Sequence, residues 1–474
     1  MKSRLSRRRF LLSSGAAFGA CLSNGRLSYA KPADIKPFGP ASRYMPSIKA
    51  TFVRRKEEYG MRWPGQVYDG VAALEKYQKE FRQAARDLGI RFDLRGQPIY
   101  GLDEAETWVA QASESRPDGL MVILLDRQEH SWPTADLAID SGIPTVIYSP
   151  VGTSFTTNTS PIADRGNLFI SCTDDIREPI FGMRMVKAGA KLRETRFVVL
   201  QGKERRDTEV PGFGTRLRYV PARDFLDEYE KTPLSAQVKE IAGQYMDGAT
   251  RVEGASEEDV QNGVKSLLVA RNILEREEGD AITMDCLGAL GKSSVSLPCI
   301  AWSAMLDRGI PAACEADIGA CLTHALVQYL FDRPGFQQDP VPETAKNCLI
   351  GAHCTCPTRL KGIEEQPEPY HISHHHGSRD AVPVPVWRLG QRMTSADIIL
   401  RDGSNPQMIV STGTVVDNVA VPPSGGCVVS IMVELDGVDD YLSYPGFHQI
   451  FFYGDYRKEL RNYCRLFDIE SVLV

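Results

Sequence analysis

Two carboxylates and two imidazoles late in the chain, Glu315, Asp339, His353 and His448, have the donor chemistry of a divalent-metal site. They lie in ACEADIGACLT, FQQDP, IGAHCTCP and YPGFHQIFFYGD. Mixed nitrogen and oxygen donors suit manganese, zinc, iron or cobalt, and the carboxylate share tilts the choice toward the harder ions. A metal beside two carboxylates can polarise a carbonyl while a carboxylate moves a proton. Two carboxylates held close repel one another unless a cation sits with them, a further reason to expect one. Each residue also has an ordinary use. A Glu before a helix complements the helix dipole, and an Asp before Pro starts a turn. A lone His at a strand end or in a loop is commonly a hydrogen-bonded structural residue. Only the ordered set points to a metal.

Further candidates surround these four. Asp285 ends a predicted strand, where ligands gather in open α/β sheets. Asp317 stands two residues from Glu315, so either could be the acid of that segment. His374-His375-His376, with His371 upstream, is the most conspicuous histidine cluster. Consecutive strand residues face opposite ways, so at most two of these converge easily. In a loop they could line a site mouth, with His375 among the substrate contacts. Trp387 and Trp302 offer flat faces on which a substrate could stack, and Trp302 reads as core. Arg54-Arg55-Lys56 read as surface charges, although their place at a strand's carboxyl end keeps a substrate role open.

The elements that must position these residues alternate strand and helix from residue 47. Segments 48–53, 90–94, 119–125 and 144–148 read as strands, with helices over 71–88 and from Asp103. No GxGxxG follows the first strand, so no dinucleotide is expected. Strands over 196–200, 217–220 and 280–284, with helices over 256–276 and from 316, make a second unit of the same kind. A strand over 347–352 delivers His353. From about 361 the pattern turns to alternating and apolar segments punctuated by Gly and Pro, an antiparallel sheet or small barrel closed by a helix over 456–466 and a strand over 470–474. The expected fold is α/β: two Rossmann-like parallel-sheet domains (47–164 and 165–360) and a C-terminal antiparallel β domain (361–474). Residues 31–46, with four prolines, read as an extended arm.

This order of domains and motifs resembles the L-fucose isomerase and L-arabinose isomerase superfamily. CEADIGACLTHAL resembles the family segment with an acidic residue before a helix, which implies Glu315 as metal ligand and proton carrier. The family's second carboxylate follows about two dozen residues later; Asp339 stands 24 residues on, which favours Glu315 over Asp317. IGAHCTCP resembles the Gly-Ala-His segment of arabinose isomerases and implies His353 as third ligand. GFHQIFFYGDYRKEL resembles the closing His segment and implies His448 as fourth. The resemblance implies a divalent metal, manganese (Mn2+) first, a homo-oligomer, and aldose–ketose exchange on an open-chain sugar through an ene-diol. Glu315 and Asp339 would share the proton transfer.

A length of 474 residues is too much for one ordinary core and fits two or three domains. The formal charge is −6, and the first thirty residues hold six basic and no acidic side chains, so the body stands at −12. An acidic body argues against nucleic acid and against an anionic membrane surface, and fits a small neutral substrate. SRRRFLL opens an N-terminal segment that resembles the twin-arginine export signal, with a cut expected after Ala30. The twin-arginine machinery is therefore an expected partner and the periplasm the expected location. That route carries folded proteins, which suits a metal acquired before export. Cysteines are scattered without a disulfide framework. Cys286, Cys299, Cys314 and Cys321 read as core residues. Cys354-Thr355-Cys356 is too tight for the usual zinc turn, and no second pair stands at finger spacing. Two rival functions remain open at this point: an exported sugar-binding or sensing protein without turnover, and a metal-dependent epimerase or lyase acting on a modified sugar.

Overall fold

Apolar runs that are buried on both faces make parallel strands, and GLMVIL does so over Gly119–Leu124, where every position is buried. It sits in the middle of a five-stranded parallel sheet. The spatial order is Arg91–Leu94, Ser47–Val53, Gly119–Leu124, Thr145–Ser149, Leu168–Cys172. The helix Gly70–Leu88 starts where the Asp69 carboxylate accepts from the Val71 and Ala72 amides, and stops at Gly89 in the left-handed conformation. The computed structural model describes residues 35–62, 67–127, 129–375, 379–401, 403–420 and 427–474. The expected leader, the start of the arm and His376 fall outside the described residues.

The segment Leu168–Cys172 was expected to open the second unit but is the fifth strand of this sheet. The Asp-Arg-Gly-Asn stretch before it has the look of a linker. It is a tight connection, with Asn167 in the left-handed region at φ 56°. The helix Arg177–Glu194 follows and packs on the first sheet and on the helix Ile318–Phe331.

A second sheet runs in the order Ala312–Cys314, Ala281–Met284, Arg196–Leu200, Arg216–Val220, Arg206–Glu209. All its pairings are parallel except that of the last edge strand. A third sheet is antiparallel and closes on itself. Its order is Arg392–Ile399, Gln449–Tyr453, Phe336–Glu343, Cys348–His353, Val429–Leu435, Gln407–Asn418, and the last of these pairs back with the first. Glu470–Leu473 adds alongside Gln407–Asn418 in parallel. The closed order removes free edges from the six strands. Two barrel strands, Phe336–Glu343 and Cys348–His353, lie before the boundary expected at 360. Their partners Gln449–Tyr453 and Val429–Leu435 are far along the chain, so local pattern does not reveal the pairing. The closing helix Arg457–Leu466 packs on the barrel and on Leu168–Cys172 of the first sheet. Among the described residues, no helix is long and apolar enough to cross a membrane.

Candidate metal centre

Strand register brings three of the four candidates to one rim of the barrel. Asp339 pairs with Ala352, so His353 is the next residue beyond that pair. Gln338 pairs with Gln449, so His448 stands one residue before the strand. Glu315 arrives from a different layer, directly after Ala312–Cys314 at the edge of the second sheet. Gln337 ties the two layers together. Its side-chain oxygen accepts from the Cys314 amide at 2.8 Å, and its amide nitrogen donates to the Cys314 carbonyl at 3.4 Å.

Two of the candidate ligands sit on strained backbone. Glu315, Ala316 and His448 have φ of 63°, 55° and 49°. A non-glycine residue in that region costs about 1–3 kcal/mol and persists only where its surroundings fix it, often at functional sites. Gly446 supplies the turn before His448 at φ 87°; a Cβ there would meet the Asp397 carboxylate at 2.8 Å.

One donor atom each from Glu315, His353 and His448 lies within 4.8 Å of the other two. His353 Nε2 is 3.8 Å from Glu315 Oε1, and His448 Nε2 is 3.6 Å from Glu315 Oε2. The Asp339 carboxylate is beside this trio, with Oδ1 3.2 Å from His448 Nε2. These two atoms are buried and face each other as an ion pair while His448 is protonated. Once His448 gives up that proton both would be left without a partner, and a cation here would satisfy both. The residues present therefore fit a divalent ion. Both imidazoles are buried, whereas the Glu315 side chain is 38% exposed and faces the approach from solvent.

Asp317 has a different part from Glu315. It caps the helix Ile318–Phe331 by accepting from the Ala320 amide at 2.8 Å. Its other oxygen lies 3.0 Å from His448 Nδ1. A proton on Nδ1 donated to that carboxylate turns Nε2 toward the trio, the usual way an outer carboxylate orients a ligating imidazole. The electrostatics follow from this arrangement. Burial works against charge on His448, but the bonds and charges of Asp317 and Asp339 outweigh it and hold its pKa up at about 9. Burial would raise Asp317, yet the His448 bond and the helix-capping amide bring it below its ordinary value. Burial lowers His353 to about 4 against the opposing charge of Asp339, with the charge of His448 adding to the lowering.

The remaining candidates fall further out. Asp285 ends the strand next to that of Glu315, and its carboxylate caps the short helix Cys286–Leu290 through the Gly288 amide at 3.1 Å. His375 is buried, not at a solvent-exposed loop mouth, and its Nε2 lies 2.6 Å from Cys354 Sγ, the residue after His353. Trp387 is fully buried, edge-on to Tyr453 with ring centroids 5.1 Å apart, and leaves no face for a sugar. It is core, packed between Phe336 and Tyr453 of two barrel strands. Sequence reasoning missed Gln337 and also Asp397, which accepts from the Phe447 amide at 3.2 Å. Burial pushes Asp397 up to about 7, with the Asp317 charge adding. It missed His324 too, wholly buried in the helix Ile318–Phe331 and lowered to about 3 by burial. In THAL a single His on an apolar helix gives no signal beyond core.

No family model matches the chain, and no curated protein matches it. Among solved structures, a sugar ABC transporter (sugar-binding protein) from Bacillus halodurans aligns at 16% identity. The alignment covers 60% of this chain and 86% of that one, with a TM-score of 0.18, too low to support any argument from likeness.

Proposed function

We propose that the chain is a metal-dependent, aldose–ketose isomerase-like enzyme of the L-fucose and L-arabinose isomerase superfamily. In this reading the first two sheets are Rossmann-like halves that present the barrel rim. The observation that carries the proposal is the Glu315–His353–His448 trio with the Asp339 carboxylate against it. Glu315, His353 and His448 would hold the ion, with Asp339 completing the set. The ion, manganese in first place, would polarise a sugar carbonyl and steady developing negative charge on oxygen. Asp339 takes the proton from C2 of an open-chain sugar and returns it to C1 while the proton of the C2 hydroxyl passes to O1, so no atom is gained or lost. Glu315, half open to solvent, assists from the opposite side. Asp317 keeps His448 in one orientation throughout. The substrate is a small sugar, the protein acts as a homo-oligomer, and the N-terminal segment directs it to the periplasm through the twin-arginine route.

Elemental analysis of the purified protein beside Glu315→Gln tests the reading. About one manganese, zinc, cobalt or iron per chain, lost in the variant, supports it, and a screen of aldoses for ketose product follows. Absence of metal even after reloading would overturn it. Metal with unchanged sugar would instead indicate a binding protein, and an epimer or a cleaved product would indicate the related chemistries. Lys at both Arg7 and Arg8 should block export; undiminished export removes the twin-arginine assignment.

A further inference from the structure

Arg54 and Arg55 follow the first strand and read from sequence as surface charges. Arg54 is instead buried, at 5% exposed. Its guanidinium donates only to backbone carbonyls, those of Arg55 at 3.0 Å, Glu57 at 3.2 Å and Gly70 at 3.4 Å. Among the described residues, no carboxylate lies within ion-pair distance of it. Arg55 has its Nε buried without a hydrogen bond, 3.6 Å from Asp126 Oδ2. Asp126 is fully buried and accepts from the Arg55 amide and from the Ser131 hydroxyl. The next residue, Arg127, lies over the ring of Phe155 at 4.7 Å, and Phe155 is 45% exposed. Arg55 lies over the Tyr59 ring at 4.5 Å, and the Tyr59 hydroxyl is fixed on the Leu125 carbonyl at 2.6 Å. Arg55 thus faces a buried carboxylate, with Arg54 and Arg127 beside it at the same strand ends.

Topology gives this cluster its meaning. From Ser47–Val53 the chain moves to Arg91–Leu94 on one side, then crosses to Gly119–Leu124 on the other. The direction of winding reverses between Ser47–Val53 and Gly119–Leu124. Open α/β sheets take ligands outside the carboxyl ends of their strands at such a switch point. Arg54, Arg55, Asp126 and Arg127 are the residues at those two ends. The Arg55 Nε, buried without a hydrogen bond, would be satisfied by an incoming oxyanion. Guanidinium forks match carboxylate and phosphate oxygens, and a half-exposed ring suits a small carbon skeleton.

We propose that this strand-end cluster is a second ligand site, separate from the metal centre, for a small organic oxyanion of the size of a sugar carboxylate or sugar phosphate. It stands whether or not the isomerase reading does. Calorimetric titration of the full chain with glucuronate, glucose 6-phosphate and glucose tests it. One of the two anions should bind at least tenfold more tightly than glucose, and which one identifies the recognised group. Arg127→Gln should weaken that anion at least tenfold with the melting temperature retained. Should that variant fail to fold, Phe155→Ala must weaken the same anion several-fold. Glu315→Gln should leave the binding unchanged. Equal binding of glucose and both anions, binding insensitive to Arg127→Gln and Phe155→Ala, or loss of binding in Glu315→Gln would each overturn the proposal.

Discussion

His448 is the residue on which the chemistry of the metal centre turns. Without an ion it is the cation that balances Glu315, Asp317 and Asp339. Its pKa is raised to about 9, so in the ion-free protein its stabilising contribution is full below about 6.5. That contribution is lost as pH rises through 9. An imidazole must be neutral to bind a metal, so ion binding displaces this proton. Apparent affinity for Mn2+ should therefore rise roughly tenfold per pH unit from 7 to 9 and then level. Calorimetry at pH 7.5 in two buffers of different ionisation heat should report about one proton released per ion. Release of no proton would remove His448 from the ligand set. Asp317→Asn keeps the helix cap in shape but removes the charge on which Nδ1 rests. Metal affinity should fall roughly 10–100-fold, as for other outer partners of ligating imidazoles, with proton release reduced at the same pH. An Asp317→Asn variant with unchanged affinity would leave Asp317 as a helix cap alone.

At the scale of elements, the site depends on a junction that no motif announces. Gln337 and Asp339 alternate onto the same side of one strand, and Gln337 holds the end of Ala312–Cys314 against the barrel. Replacing Gln337 by Ala leaves the buried Cys314 amide unsatisfied and should cost about 1–3 kcal/mol of stability. It should also lower metal affinity, because Glu315 follows that strand end directly. Ser303→Ala is the control: it removes a comparable buried bond, 2.7 Å to the Cys356 carbonyl, at another place. Similar destabilisation in both with affinity lost only in Gln337→Ala would establish the junction; equal affinity in both would refute it. The strands and helices around it were legible in the sequence because their signals are local. Gly89 marks a helix stop, and GLMVIL reads as a doubly buried strand. The four candidate ligands were legible as residue types in order. The barrel membership of Phe336–Glu343 and Cys348–His353 was not, since it rests on partners contributed about a hundred residues later. The burial of Trp387 against Phe336 and Tyr453 was hidden for the same reason.

At the scale of the whole molecule, the centre joins two layers. Glu315 extends from the second sheet, whereas His353, His448 and Asp339 belong to the barrel rim. An ion held by both layers binds the folded chain and has no preformed site in the unfolded one. Its effect on stability then follows from mass action, about 2.7 kcal/mol when free Mn2+ is a hundredfold above its dissociation constant. A protein of this size loses roughly 2–4 °C or less per kcal/mol, so a chelator should lower the melting temperature by several degrees. The same chelator should leave Glu315→Gln unchanged, since that variant lacks the bridging carboxylate. His448→Ala removes a barrel ligand and should abolish the chelator effect too. If instead the wild-type protein melted at one temperature with and without the chelator, the two layers would be held by packing and the Gln337 junction alone. The trio would then be a set of buried polar groups balanced by the proton on His448.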